Sequence, residues 1–173
     1  AVTAAADMVI ALAEQKGFPS WLSLAKIFRG WALVQDGDAA NGLPLIERSL
    51  AEHRATGELL EVPYCISLLA ECLAIAGSKA LALTAIDEAL AMSKATGEAW
   101  FEPELHRLRG EYLLDASIGR ATEALESLRF AHETARRQGA RTWECRAAQS
   151  LARALAAAGQ AEKARALLAP LRQ

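Results

Sequence analysis

The chain has little of what a β-sheet, a disulfide framework or a membrane span requires. Aromatic residues make up only 6% of its 173 residues, and Val and Ile are sparse, which leaves little material for strands. The chain has three cysteines, and Cys65 and Cys72 lie seven residues apart in one apolar helical pattern. On one helix they would be about 10 Å apart, too far to form a disulfide bond with each other. No apolar run approaches the roughly 18 uncharged residues of a membrane span. We therefore expect a cytoplasmic protein with reduced thiols and no membrane contact.

The chain is rich in the residues that form α-helices. It contains 39 Ala and 26 Leu, two of the strongest helix formers, and its hydrophobic fraction of 53% excludes a disordered chain. The first residue is not Met, and no signal peptide opens the sequence. We therefore expect an all-α chain that is an excised piece of a longer protein.

Glycine recurs with a fixed period. One series is spaced by 40, 40 and 42 residues and a second by 40, 42 and 40, each member of the second lying 20 residues, or 22 in one repeat, after one of the first. A glycine that closes an apolar segment usually ends a helix, because it enters the left-handed region without a Cβ penalty. The pattern predicts pairs of helices. The two series are Gly17, Gly57, Gly97 and Gly139, and Gly37, Gly77, Gly119 and Gly159.

Small and large apolar residues also recur in register. In the first repeat, Gly30 comes three positions before Leu33, and Gly42 comes four positions before Ile46 in the second helix. A small residue beside a large one lets two helices approach closely at that point. The equivalent small residues are Ala70, Gly110 and Ala152 in the first helices and Ala82, Ala124 and Ala164 in the second helices.

This pattern resembles the tetratricopeptide repeat (TPR), in a long form with a period of 40 to 42 residues. The resemblance covers nearly the whole chain, although the family's early Trp position is not kept. It implies an all-α, right-handed α-α superhelix, a TPR-like solenoid of about 4.5 antiparallel helix pairs. The predicted single domain, 1–173, divides into a half repeat and four repeats: 1–17, 18–57, 58–97, 98–139 and 140–173.

A narrower resemblance points to a kind of parent protein. Several short stretches are similar to the C-terminal helical-repeat region of large bacterial signalling proteins, in which an ATPase module is joined to an adenylate or guanylate cyclase or to a DNA-binding transcriptional regulator. The resemblance implies a sensing or partner-binding role, with catalysis left to other domains. The stretches are Arg54-Ala55-Thr56-Gly57, Pro63-Tyr64, Leu68-Leu69-Ala70-Glu71, Thr96-Gly97-Glu98-Ala99-Trp100 and Glu104-Leu105-His106-Arg107-Leu108-Arg109-Gly110-Glu111.

Motifs for catalysis and metal binding are weak. No glycine group is followed by the Lys-Ser or Lys-Thr pair of a Walker phosphate-binding loop, and no Gly-x-Ser-x-Gly elbow occurs. The three histidines, His53, His106 and His132, lie in three different repeats. None has a His or Cys four residues away on its helix face, so we expect ordinary surface or capping histidines. We therefore expect no catalytic residue, no cofactor and no metal.

One predicted helix is rich in carboxylates, which can do acid–base work. Glu104, Arg107 and Glu111 are spaced by three and four residues, however, so they pair on one helix face. We expect a solvent-exposed, salt-bridged face here. An enzyme that uses the helix from Glu104 to Asp115 is the least supported alternative.

We predict a binding surface on the first helices of the repeats, because the resemblance implies that these helices line the concave side of the solenoid. Their inner positions change from apolar in the first repeat to charged in the later ones, which suits an extended peptide or a helix. We predict a non-catalytic module that binds a protein or peptide partner, or another domain of its parent, on this face. The predicted partner-binding residues are Trp31, Tyr64, Glu71, Arg107, Glu111, Arg146 and Arg153.

Charge is unevenly distributed along the chain. Residues 136–173 contain eight Lys plus Arg and two Glu, whereas the net charge of the whole chain is −2. A basic end can contact phosphates, but the sequence offers no aromatic stacking platform beside it, so we do not expect direct nucleic-acid binding. We expect the basic end to meet an acidic neighbour, either the next part of the parent or another copy. Self-association of the parent is therefore the alternative function.

One local conflict concerns Pro44, which follows Asn41 and Gly42 where a second helix should begin. Proline inside a helix removes a hydrogen bond unless it lies in the first turn. We expect that helix either to start near Leu43 or to bend there.

Overall fold

The computed structural model describes residues 2–116 and 119–169, and in those ranges it contains nine α-helices and no strands. The helices are α1 (Val2–Lys16), α2 (Pro19–Gln35), α3 (Ala39–Ala55), α4 (Val62–Ile75), α5 (Lys79–Thr96), α6 (Glu102–Ala116), α7 (Ala121–Arg137), α8 (Arg141–Ala157) and α9 (Ala161–Leu168). The last predicted repeat, 140–173, extends past the described residues. No helix in the described ranges is long and apolar enough to cross a membrane.

The helices end where the glycine series predicts. All eight glycines of the two series have positive φ, from 68° to 114°. Gly97, for example, closes α5 with φ 74°, a conformation that costs an L-residue with a Cβ about 1–2 kcal/mol. The periodic glycines therefore set the lengths of the helices.

The close approach predicted between small residues occurs in the α2–α3 pair. A Cβ added to Gly30 would lie 2.8 Å from the backbone nitrogen of Ile46, and one added to Gly42 would lie 2.5 Å from Cγ2 of Val34. As the chain advances from Gly30 to Val34, its neighbours run backwards from Ile46 to Gly42, so the two helices are antiparallel. Their backbones touch because neither glycine carries a side chain.

The large residues of the repeat pattern form the core. In the second helices, a large apolar residue comes four positions after the small one, and in three repeats this large residue has no exposed surface. Two of the small residues, Ala82 and Ala124, are also fully buried. Burial of this kind stabilises the fold by about 25 cal/mol per Å² of apolar surface. The three large residues are Ile46, Ile86 and Leu128.

The helices group into two compact units, residues 1–97 and residues 98–173. In the first, α2 packs on α1, α3 and α4, and α4 also packs on α5. In the second, α6 packs on α7 and α8, and α8 packs on α9. In each unit, neighbouring first helices therefore contact each other directly.

The structure overturns one of the two expectations for Pro44. The third helix begins at Ala39, not near Leu43, and Pro44 lies inside it. Asp38 decides the start, because its side chain accepts a hydrogen bond from the backbone nitrogen of Asn41 at 3.2 Å and caps the first turn. The other expectation, a bend at Pro44, stays a prediction.

Candidate interaction surface

The two first helices of the second unit, α6 and α8, lie side by side and meet through charged side chains. On α6, Glu104, Arg107 and Glu111 project from one side because they are three and four residues apart. On α8, Arg146 and Arg153 are two turns apart on one face. The helical repeat thus brings two carboxylates and three guanidinium groups together.

Arg107 lies at the centre of this cluster. Its Nε and Nη2 donate to Oε2 and Oε1 of Glu104 at 2.9 and 2.7 Å, a bidentate contact of the strong, charge-assisted kind. Its Nη1 donates to Oε2 of Glu111 at 2.5 Å. One guanidinium group therefore joins two carboxylates of its own helix.

Helix α8 supplies a second cation for each carboxylate. Arg146 Nη2 lies 2.7 Å from Oε1 of Glu104. Arg153 Nη2 and Ser150 Oγ each donate to Oε1 of Glu111 at 2.7 Å. We call the resulting alternating chain across the two helices the Arg–Glu ladder; its members are Arg146, Glu104, Arg107, Glu111 and Arg153.

The centre of the Arg–Glu ladder is buried and its two ends are exposed. The side chains of Glu104 and Arg107 are 2% and 8% exposed, whereas those of Arg146 and Arg153 are 47% and 67% exposed. The expectation of a solvent-exposed salt-bridged face is therefore wrong for Glu104 and Arg107. The reason is tertiary, since α8 covers this side of α6, and spacing within one helix does not reveal what packs on it.

Two members of the ladder, Arg107 and Glu111, have shifted pKa values that favour their charged forms. Burial lowers the pKa of Arg107, but the hydrogen bonds and charges of Glu104 and Glu111 outweigh burial and raise it overall. Burial raises the pKa of Glu111, but the charge of Arg107, the hydrogen bond from Ser150 and the charge of Arg153 lower it overall. A carboxylate held ionised in this way is suited to binding and positioning rather than to proton transfer at neutral pH.

Arg146 is held from a second side by an aromatic ring. Its guanidinium carbon lies 5.5 Å from the centre of the Trp143 ring, within the range of a cation–π contact. Trp143 in turn packs edge-on against Phe101, with 5.3 Å between ring centres. The exposed end of the ladder is therefore positioned before any partner arrives.

A groove of about 820 Å³ lies between α8 and α9, next to the other end of the ladder. Arg153 and Arg165 supply charged groups to its lining, and Ala152, Ala156 and Leu168 supply apolar surface. Arg153 belongs to both features, so the ladder and the groove form one continuous surface within the second unit.

The first unit contains a smaller polar link between its own first helices. Trp31 Nε1 donates to Oε2 of Glu71 at 2.9 Å. Tyr64 packs beside Phe28, with 6.1 Å between ring centres, and burial raises the pKa of Tyr64, which keeps its phenol neutral. The structure therefore joins Trp31 to Glu71 and places Tyr64 two turns before Glu71 on α4.

Four of the predicted partner-binding residues meet in one cluster, namely Arg107, Glu111, Arg146 and Arg153. Two further members were not predicted as binding residues: Glu104, which was read as part of a solvated ion pair, and Ser150. The repeat register is the signal that could have found Ser150, because it lies 39 residues after its partner Glu111, close to one period. That these residues bind a partner stays a prediction.

The remaining candidate groups are the histidines and the cysteines. Within residues 2–116 and 119–169, no three or more His, Cys, Asp or Glu side chains are placed to hold a metal ion. Burial, followed by the charge of Glu71, raises the pKa of Cys72 to about 12, so its thiol stays protonated. The expectation of surface or capping histidines is wrong for His53, which is 2% exposed with Nδ1 3.0 Å from Oγ of Ser23.

Comparison by sequence finds a much longer relative. No family model matches the chain. An uncharacterized protein of Rhizobium meliloti (strain 1021) is 32% identical to it over 126 residues, which make up 72% of this chain and 12% of that protein. The chain therefore spans only a small part of the length of this relative.

Comparison by structure decides the fold. A crystal structure of a Podosopora anserina protein, named as a kinesin light chain with nearly identical TPR-like repeats, aligns with a TM-score of 0.72. The alignment covers 96% of this chain and 82% of that one, at 18% sequence identity. The chain has a TPR-like repeat fold. The predicted all-α, TPR-like fold class is thereby confirmed.

Proposed function

We propose that the chain is a non-catalytic protein-interaction module that binds a peptide or a partner domain on the face of its first helices. The observation that carries this proposal is the pair of exposed guanidinium groups of Arg146 and Arg153, each tied to a carboxylate of α6. A charged side chain that is already ordered loses less conformational entropy when a partner binds. The TPR-like fold supports the proposal, because such repeats pack on their neighbours and leave a long surface for a partner.

A selection experiment tests this function. A random-peptide display library is selected against the 173-residue chain, and the enriched peptides are measured against two double variants. R146Q/R153Q removes the exposed ends of the ladder. R129Q/R136Q removes two exposed arginines with the same spacing on α7, so it changes the net charge equally.

We expect enriched peptides whose binding is lost in R146Q/R153Q and kept in R129Q/R136Q, because the ladder ends contact the partner. Enriched peptides that bind both variants as well as the wild type would place binding elsewhere. A library that yields no specific peptide would contradict the module function itself.

The parent protein forms the second part of the proposal. We infer that the module regulates a cytoplasmic bacterial signalling or transcription-regulating protein, of the kind that carries an ATPase with an adenylate or guanylate cyclase or with a DNA-binding domain. The short stretches that resemble such proteins support this, and the much greater length of the R. meliloti relative is in keeping with a multidomain parent. Reading the gene on both sides of the segment tests it, since domains of any other kind would contradict the inference.

Self-association is the second candidate, and an exposed apolar stripe on α1 favours it. Met8 and Leu12 are 74% and 55% exposed and lie four residues apart on one helix face. Sedimentation velocity of the wild type and of M8E/L12E tests it across concentration and salt. Association that is lost in the variant would support it, and a wild type that is monomeric in every condition would rule out self-association through this segment.

A further inference from the structure

We propose that Arg146 and Arg153 recognise an acidic segment in the polyproline II conformation that carries two carboxylate side chains three residues apart. This inference rests on the proposed function and names the chemistry of the partner. It does not require the parent to be a signalling protein.

The spacing of the two guanidinium groups sets the spacing of the carboxylates. Arg146 and Arg153 are seven residues apart on α8, so their Cα atoms are separated by about 10 Å along the helix axis. A polyproline II segment has three residues per turn and rises about 3.1 Å per residue, so side chains three residues apart lie on the same side of it and are separated by about 9 Å. A Glu-x-x-Glu segment laid along α8 therefore matches the two arginines.

The charge of the surface favours an acidic partner. The ladder contains three guanidinium groups and two carboxylates, which leaves one formal positive charge, and both carboxylates lie on α6 rather than on the exposed ends. Each exposed arginine uses its Nη2 on a carboxylate, and neither Nη1 has a partner among the described residues. Each arginine therefore has a donor left for a second carboxylate. The contact with the first carboxylate already holds the guanidinium group in position.

The groove beside Arg153 sets the direction in which the acidic segment runs along α8 and adds an apolar residue to the sequence that it prefers. Beyond Arg153 the surface becomes the apolar lining of the α8–α9 groove, to which Ala156 and Leu168 contribute. A segment whose second carboxylate pairs with Arg153 continues over this lining, where an apolar side chain can be buried. We therefore expect the preferred sequence to be Glu-x-x-Glu followed by Leu or a similar residue.

A nucleic acid fits the same surface less well. Single strands are held by stacking of bases on exposed aromatic rings together with a basic groove. The aromatic ring nearest to the ladder ends, Trp143, is in contact with Arg146 on its face and with Phe101 edge-on. The ladder also presents carboxylates as well as cations, which weakens its attraction for a continuous phosphate backbone.

Fluorescence anisotropy with labelled synthetic peptides tests the proposal. The probes are a peptide with Glu-x-x-Glu-x-x-Leu, its Gln-x-x-Gln-x-x-Leu counterpart, a peptide with two adjacent Glu, and an oligothymidylate. Each is titrated with wild type, R146Q/R153Q, R146K/R153K and the R129Q/R136Q control, at low and high salt. The lysine variant keeps the positive charge that balances Glu104 and Glu111, and circular dichroism confirms that each variant is folded.

We expect the Glu-x-x-Glu peptide to bind the wild type at least about tenfold more tightly than its Gln counterpart, and more tightly than the peptide with adjacent Glu. The preference should be lost in R146Q/R153Q, partly kept in R146K/R153K, weakened by salt and unchanged in R129Q/R136Q. Equal affinity for the Glu and Gln peptides would overturn the acidic preference. Tighter binding of the oligothymidylate through the same two arginines would overturn it in favour of a nucleic acid.

The display selection separates the two ideas. Enriched peptides that need Arg146 and Arg153 but carry no acidic residues would leave the module function standing and overturn this inference. Failure of both the selection and the designed peptides would overturn both.

Discussion

Trp31 donates its indole N–H to Glu71, and the two residues are 40 positions apart, one repeat along the chain. In the second unit, Arg153 donates to Glu111, 42 positions away. All four residues directly follow the small residue of their own repeat's first helix. The repeat therefore builds one polar contact between neighbouring first helices in each unit, with different chemistry in each.

Removal of the Trp31 donor should destabilise the first unit. Trp31→Phe keeps an aromatic ring but leaves the Glu71 carboxylate without the indole N–H, and we expect a loss of about 1 kcal/mol in the free energy of unfolding. Trp100→Phe is the matched control, because Trp100 Nε1 donates to Glu98 two residues away in a solvent-exposed hydrogen bond. Urea denaturation measures both, and equal losses would show that the contact between first helices has no special weight.

Gly30 should tolerate no side chain. Alanine in a helix interior gains about 1 kcal/mol over glycine, but its Cβ would lie 2.8 and 2.9 Å from backbone atoms of Ile46 and Gly42, which cannot move independently of α3. We expect Gly30→Ala to cost about 3 kcal/mol net. Gly110→Ala should cost less, because its two nearest neighbours are side-chain atoms of Leu128. Thermal unfolding of both variants checks the order, and a stabilised Gly30→Ala would contradict the close approach.

Arg107 should be more costly to remove alone than together with Glu104. Arg107→Met leaves Glu104, 2% exposed, with only Arg146 as a cation, and loss of one partner of a buried ion pair costs about 3–5 kcal/mol. In the double variant with Glu104→Leu, no uncompensated charge remains in the buried centre, so we expect part of that stability to return. A double-mutant cycle in urea measures the coupling, and additive losses would contradict a buried ion pair.

Glu111 should make the free energy of unfolding fall as the pH falls into the acid range. Its folded pKa is lowered from the ordinary value of 4.5, so its contribution is fully present above that value and is lost as the pH falls through the lower folded pKa. We expect Glu111→Gln to cost about 2 kcal/mol at neutral pH and the difference from the wild type to narrow below pH 4.5. Urea denaturation from pH 7 to pH 3 measures this, and parallel stability profiles would exclude the effect.

Much of the fold could be predicted because each repeat carries its own local signals. Gly37 and Gly77 follow the ends of helices because their own backbone adopts a positive φ. The small residues Gly30 and Gly42 allow close contact between two helices that follow one another in the chain. Such local signals can be read from a single sequence. Because they recur with a fixed period, they also indicate that each repeat packs on its neighbour in the same way.

The candidate site could be predicted only in part. The repeat position identified Arg107, Glu111 and Arg153, because inner positions recur with the period. It did not show that Glu104 and Arg107 are buried, since α8 lies about 40 residues away in sequence from the part of α6 that it covers. The start of α3 at Ala39 has a local cause instead, because the side chain of Asp38 caps the first turn and the helix continues through Pro44.

The sequence by itself determined that the chain is helical, where its helices end and which residues touch between paired helices, because propensity, glycine conformation and side-chain size act locally. The tertiary structure alone decided which charges are buried and which remain exposed. Glu104 and Glu111 both pair with Arg107 on α6, three and four residues away, and the sequence does not distinguish them. Only the packing of α8 takes Glu104 and Arg107 out of water, while Arg146 and Arg153 on α8 itself stay exposed.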